Sequence, residues 1–123
     1  MIPARSALVI DDDPFMAELV QALLESRGFD VEVLNDGIDA IELKRRYDVI
    51  LLDVNMPVFD GERLTEYWKM TEREILRRVI ILSGYVKLSV AAGVDAFATI
   101  QKPFTHEALL RIVDACVSQP DVV

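Results

Sequence analysis

The chain has 123 residues, 52% of them hydrophobic, enough for one compact domain with a single core and too few for two domains of ordinary size. A formal charge of −8, with 21 acidic residues against 13 basic ones, argues against direct nucleic-acid binding, because phosphate backbones repel such a surface. The single cysteine excludes an internal disulfide or a thiolate metal cage, and the absence of a long apolar run or an export-signal core predicts a soluble, cytoplasmic protein without a membrane span.

In chain order, residues 7–10 are an apolar run stopped by three carboxylates and a proline, the pattern of a buried strand followed by a turn. Met16, Leu19, Val20, Leu23 and Leu24 then recur at the spacing of one helical face, and Gly28 supplies the stop. Phe29, Val31 and Val33 alternate with Asp30 and Glu32, giving a second strand, after which Asn35-Asp36-Gly37 turns the chain into a second helix through Ile38, Ile41 and Arg45. Residues 49–52 are apolar on both faces, as a central parallel strand should be, and end abruptly at Asp53. Leu64, Tyr67, Trp68, Thr71 and Ile75 mark a third helix, and residues 79–82 a fourth strand ending at Ser83. Residues 85–92 leave room for about two helical turns before Gly93, so the fourth helix is expected to be short or irregular. Residues 97–100 form a fifth strand, Lys102-Pro103 breaks the chain, Thr105 caps, and Leu109, Ile112, Val113, Cys116 and Val117 make the last apolar stripe.

Five β-α units in one domain, taken as residues 1–123, predict an α/β sandwich with a parallel sheet covered on both faces. Such sheets gather function at the carboxyl ends of their strands, and Asp11, Asp12, Asp53, Ser83 and Lys102 all fall there. With strand order 2-1-3-4-5, the first and third strands are neighbours and Asp11, Asp12 and Asp53 share one cleft. Three carboxylates a few Å apart raise one another's pKa unless a cation keeps them ionised. Magnesium suits the role, since it takes hard oxygen ligands and leaves room for a phosphate oxygen. Zinc does not, because the only histidine, His106, begins a distant helix and is read as a surface residue. Phosphoryl transfer needs in-line positioning and charge neutralisation more than covalent chemistry. Asp53 is the candidate nucleophile, with magnesium, Lys102 and the Ser83 hydroxyl each serving one phosphoryl oxygen. Taken one at a time, the acids read equally well as a solvated turn at a helix start, Ser83-Gly84 as a simple turn and Lys102 as a surface charge; it is their combination that carries the reading. Cys116 and Trp68 read as core residues.

The strings LVIDDDP (8–14), DVILLDVNMPVFDG (48–61), VIILSG (79–84) and QKPF (101–104) together resemble the receiver domains of bacterial response regulators, the CheY-like family, over nearly the whole chain. The resemblance implies a flavodoxin-like doubly wound (βα)5 fold and Asp53 as phosphoacceptor. It also implies Asp11 and Asp12 as the acidic metal pair, a backbone carbonyl of Asn55 on the metal, Ser83 as switch hydroxyl, Lys102 as phosphate-binding lysine and a cis peptide before Pro103. It further implies a histidine kinase or histidine phosphotransfer protein as donor, docking near Pro14, Phe15 and Met16. Output would pass to a protein target or a fused domain, with a phosphorylation-dependent homodimer left open, and no enzyme activity beyond self-phosphorylation and self-dephosphorylation. Two features depart from the family pattern: the interval from Ser83 to Lys102 is short, and Thr99 stands where an aromatic switch residue is usual, with Phe97 two residues earlier. Asn55 and Tyr85 would flank the path of an attacking water, and the bulk of Tyr85 predicts slow self-hydrolysis.

Three alternatives remain open from the sequence. A receiver-like interaction module with degenerate switching would share the same acids. An FMN-binding flavodoxin-like protein would need backbone N–H donors where the first loop offers carboxylates. A phosphatase of the haloacid-dehalogenase type would need a second aspartate where Asn55 stands.

Overall fold

Strands β1 (Ser6–Ile10), β3 (Val49–Asp53) and β4 (Val79–Ser83) are buried at every residue, so both faces of each must be covered and their sequences are apolar runs, not alternations. The computed structural model, which describes residues 4–53, 61–84 and 96–120, pairs them with β2 (Asp30–Leu34) and β5 (Ala98–Gln101) in a parallel sheet of order β2-β1-β3-β4-β5, the expected one. β2 lies at an edge, where one face meets solvent, and this is why its residues alternate in sequence.

One face of the sheet, carrying Ala7, Val9, Val49, Leu51, Ile80 and Leu82, is covered by α1 (Pro14–Glu25) and by the last helix, α3 (His106–Val117). The other, carrying Leu8, Ile10, Ile50, Leu52, Val79 and Ile81, is covered by α2 (Gly61–Thr71) and two 3₁₀ turns. Asp13 caps α1 by accepting from the Phe15 N–H at 3.0 Å, and Pro14 occupies the first helical position, where a missing N–H costs nothing. Past the end of α1, Gly28 takes φ 85°, a conformation L side chains avoid, and turns the chain into β2. Thr105 caps α3 through the Ala108 N–H at 3.0 Å, as its position predicts.

Several boundaries differ from the sequence reading. The buried line of α1 is Ala17, Val20 and Leu24, while Leu19 is 39% exposed; small Ala17 lets the helix lie close to the sheet and rotates the stripe. The second helix is a single 3₁₀ turn, Gly37–Ala40, capped by Asp36; Ala40 is buried, Ile38 faces outward, and Ile41 and Leu43 reach the core from irregular chain that follows. An apolar period without a second row of contacts cannot hold more turns. The third helix ends at Thr71, whose hydroxyl donates to the Tyr67 carbonyl at 2.8 Å, and Ile75 is buried from a separate 3₁₀ turn, Arg73–Arg78. The expected fourth helix, 85–92, lies outside the described residues. Among the described residues no helix is long and apolar enough to cross a membrane.

Candidate functional site

Strand pairing places the acids. β1 and β3 run in register with Ile10 opposite Leu52, so one further step sets Asp11 beside Asp53. Side chains alternate along strands, and Asp11 falls in phase with Ala7 and Val9 as Asp53 does with Val49 and Leu51, so both acids lie on one face at one edge. Carboxylate oxygens of Asp11, Asp12 and Asp53 all lie within 4.8 Å of one another, with Asp11 and Asp53 buried and Asp12 exposed. On the far side, β5 pairs with β4 so that Ser83 meets Gln101, and the Lys102 N–H donates to the Ser83 carbonyl at 2.7 Å. This pins the base of Lys102, whose ammonium sits 3.3 Å from the Asp53 carboxylate. Ser83 is fully buried at the end of β4, and the Lys102-Pro103 peptide is cis.

The first loop is tied down by its own groups. Asp11 Oδ1 accepts from the Asp13 N–H at 2.9 Å, the Asp11 N–H donates to the Leu34 carbonyl at 3.0 Å, and the Asn35 amide donates to the Asp11 carbonyl at 3.1 Å. The second oxygen, Asp11 Oδ2, is buried and has no hydrogen-bond partner. Burial, with Asp53 repulsion adding to it, pushes the Asp11 carboxyl up to about 7 against the restraint of the Asp13 N–H and Lys102. A buried acceptor left unsatisfied is costly, and a site of that kind accommodates a cation or a proton.

Asp11, Asp12, Asp53, Ser83 and Lys102 thus gather at one edge of the sheet, whereas Asn55 and Tyr85 lie outside the described residues. Asp13, which caps α1, and Asn35, which holds the Asp11 carbonyl, also position the site, and of the two only Asp13 carries a sequence signal, its place before Pro14 at a helix start. Phe97 packs into the core beside α3, and its N–H bonds the Leu76 and Val79 carbonyls. His106 stands exposed at the first position of α3.

Fold and cleft together define a doubly wound α/β domain with an acidic site at the switch point of its sheet. The chain belongs to the response regulator receiver domain family, whose model matches residues 7–114. It is 42% identical over 112 residues to a CpxR homolog, a transcriptional regulatory protein of Haemophilus influenzae, covering 88% of this chain and 48% of that one. It is 27% identical over 121 residues to the chemotaxis protein CheY of Halobacterium salinarum, covering 91% of this chain and 99% of that protein. Among solved structures it resembles the receiver domain of the Pseudomonas aeruginosa sensor histidine kinase PA1611, which carries magnesium in its active site cleft. That likeness has a TM-score of 0.84 at 27% identity and covers 95% of this chain and 100% of the other. The chain spans about half the length of several curated relatives it matches, with shares of 52%, 48% and 49%.

Proposed function

We propose that residues 1–123 form one phosphoacceptor module of a two-component system, in which Asp53 takes a phosphoryl group from a phosphohistidine donor and the altered cleft changes contacts with other proteins. The observation that carries this is a buried acid, Asp53, with a lysine 3.3 Å away on one side and two further acids within 4.8 Å on the other. A nucleophilic carboxylate needs its charge matched when a dianionic group arrives, and this cleft offers one fixed cation and room for a second.

Magnesium fits the donor set, since Asp11, Asp12 and Asp53 offer only hard oxygens and Asp11 Oδ2 lacks a partner. Bound there, it would neutralise one phosphoryl oxygen and hold the acids ionised. By family resemblance Asp11, Asp12 and Asp53 would hold it together with the Asn55 carbonyl. Asp53 attacks phosphorus in line, forming an acyl O–P bond as the P–N bond of the donor breaks and the imidazole leaves with a solvent proton. Lys102 shifts its bond from the Asp53 carboxylate to a phosphoryl oxygen, and the Ser83 hydroxyl donates to another, drawing the ends of β4 and β5 toward the group. No turnover of an external substrate is expected beyond loading and hydrolysis of the chain's own acyl phosphate.

A histidine kinase or phosphotransfer protein would dock beside α1, where Phe15 is 83% exposed. Output would pass to a protein target or to a domain outside this sequence. The test is incubation with acetyl phosphate and magnesium, followed by intact mass measurement. Wild type gains one phosphoryl group, and Asp53→Asn gains none; equal labelling of both would overturn the assignment. A second reading, a receiver-like module without regulated switching, is favoured by Phe97, which is packed into the core while partly buried Thr99 holds the usual aromatic place. Under that reading, spectra with beryllofluoride and magnesium would leave β5 unmoved.

A further inference from the structure

At the opposite edge of the sheet, where the strands begin, the residues before β1, β3 and β4 meet the C-terminal end of α3 around a cleft of about 530 Å³. Arg5, Arg46, Arg77 and Arg78 line it together with Asp48 and Glu74, an excess of positive charge in a chain whose formal charge is −8. An adjoining cleft adds Lys44 and Arg45 to Arg46 and Arg78, with Glu72 and Glu74 as its only acids among the described residues, so basic groups stay in excess. Basic side chains that share one concavity repel one another, and such a cluster persists where an anion, or internal acids, offset it.

Among the described residues the acids do not do so fully. Asp48 is engaged by the Ser6 N–H at 2.8 Å and the Ser6 hydroxyl at 3.4 Å. Glu74 meets Arg78 Nη1 at 3.3 Å. Arg5 donates to the Val117 carbonyl at 3.1 Å and Arg77 to the Pro120 carbonyl at 3.4 Å, so most donors on each guanidinium fork are unused among the described residues. Arg78 is the most telling, because its Nε is buried with no hydrogen-bond partner and its charge is disfavoured first by burial and then by Arg46. The volume lies within the range of small-molecule pockets, and the lining is mostly polar, which suits a compact polyanion better than an apolar ligand.

We propose that this cleft binds a phosphate-bearing small molecule, held by the guanidinium groups of Arg5, Arg77 and Arg78 at the end of the domain away from Asp53. Arginine forks match phosphate oxygens in pairs, which a single ammonium cannot do. A nucleic acid is the less favoured partner, because the site is concave and the chain as a whole carries a formal charge of −8.

The experiment is calorimetric titration of the full chain with inorganic pyrophosphate in metal-free, low-salt buffer. Saturable binding is expected, weakened at least about tenfold in Arg77→Gln, recovered in part by Arg77→Lys, and unchanged in Lys102→Ala, which lies at the other end. If Arg77→Gln fails to fold, wild-type NMR titration keeps the question open to decision. The Gln119 side-chain amide, which donates to the Arg77 carbonyl at 2.8 Å, and the Arg78 Nε resonance should then shift with pyrophosphate. No binding at millimolar pyrophosphate, equal binding by Arg77→Gln, or loss of binding in Lys102→Ala would overturn the proposal. So would tight binding of a duplex oligonucleotide without any of pyrophosphate.

Discussion

Asp11→Asn should stabilise the metal-free protein at neutral and alkaline pH, although it removes a residue placed in the acidic site. In the folded chain the Asp11 carboxyl is raised from 3.8 to about 7, mainly by burial, so between those values the folded state holds a proton the unfolded state has released. The contribution to stability is therefore full below about pH 4, falls as pH rises, and is lost once pH passes about 7. A shift of that size corresponds to something on the order of 4 kcal/mol across the window. Asparagine has no such titration and keeps the oxygen that accepts the Asp13 N–H. Urea unfolding at pH 5, 6, 7 and 8 in the presence of a chelator should show the wild type falling progressively below Asp11→Asn. Added magnesium should close the gap from the wild-type side, and more at pH 8 than at pH 6, since the cation competes with the proton for Asp11 Oδ2. Parallel stability curves for the two proteins would refute the reasoning, because the raised carboxyl would then not be what burial and Asp53 impose.

Other expectations follow from single contacts. Lys102→Ala removes the cation 3.3 Å from Asp53 and should slow phosphorylation by acetyl phosphate by about tenfold to a hundredfold, the worth of one charge-assisted hydrogen bond, while magnesium still quenches or shifts Asp11-site signals. Asp13→Ala deletes the cap of α1 and should cost about 1 kcal/mol in urea unfolding, with no effect on α3. The Cys116 thiol, buried and pushed up to about 11, should resist a thiol-specific disulfide reagent at pH 8 until denaturant exposes it; prompt labelling of the native chain would contradict its placement on the buried face of α3.

Much of this arrangement was legible because central parallel strands and their ends leave strong marks, and the expected strand order already brings Asp11, Asp12 and Asp53 into one cleft. Val49-Ile50-Leu51-Leu52 followed by Asp53 can hardly be other than a buried strand delivering an acid to an edge, and the same holds for residues 79–83 and for the acids after β1. What the sequence obscured was helix length. Ile38, Ile41 and Arg45 keep a helical period, yet only one 3₁₀ turn forms, because the core contacts come from Ala40 at its end and from Ile41 and Leu43 in the irregular chain after it. Ile75 fits the period of α2 but is delivered to the core after a break at Thr71, which periodicity alone cannot see. The carbonyl contact of Asn35 and the assembly of Arg5, Arg46, Arg77 and Arg78 from three separate strand starts are set by tertiary pairing. No local pattern marks residues that converge only when the sheet forms.

The two charged ends of the sheet raise the question of whether they act on each other. β3 and β4 are each five residues long, and at about 3.3 Å per residue they separate the acidic cleft from the arginine cleft by roughly 15 Å. A pair of unit charges at that distance interacts by about 0.3 kcal/mol in water and about 1 kcal/mol at an effective dielectric of 20, before salt reduces both. For a ligand of about three charges and a net change of about one charge at the acidic cleft, the field in water is worth about 1 kcal/mol before salt reduces it, so the mutual effect on affinity is only a few-fold. Coupling beyond that would require β3 or β4 to shift along its length, and these strands are buried at every residue and held by neighbours on both sides. Pyrophosphate affinity measured with and without beryllofluoride and magnesium decides between the two. Agreement within a few-fold is expected from a rigid sheet, and a change well above about tenfold would mean that phosphorylation moves the strands themselves.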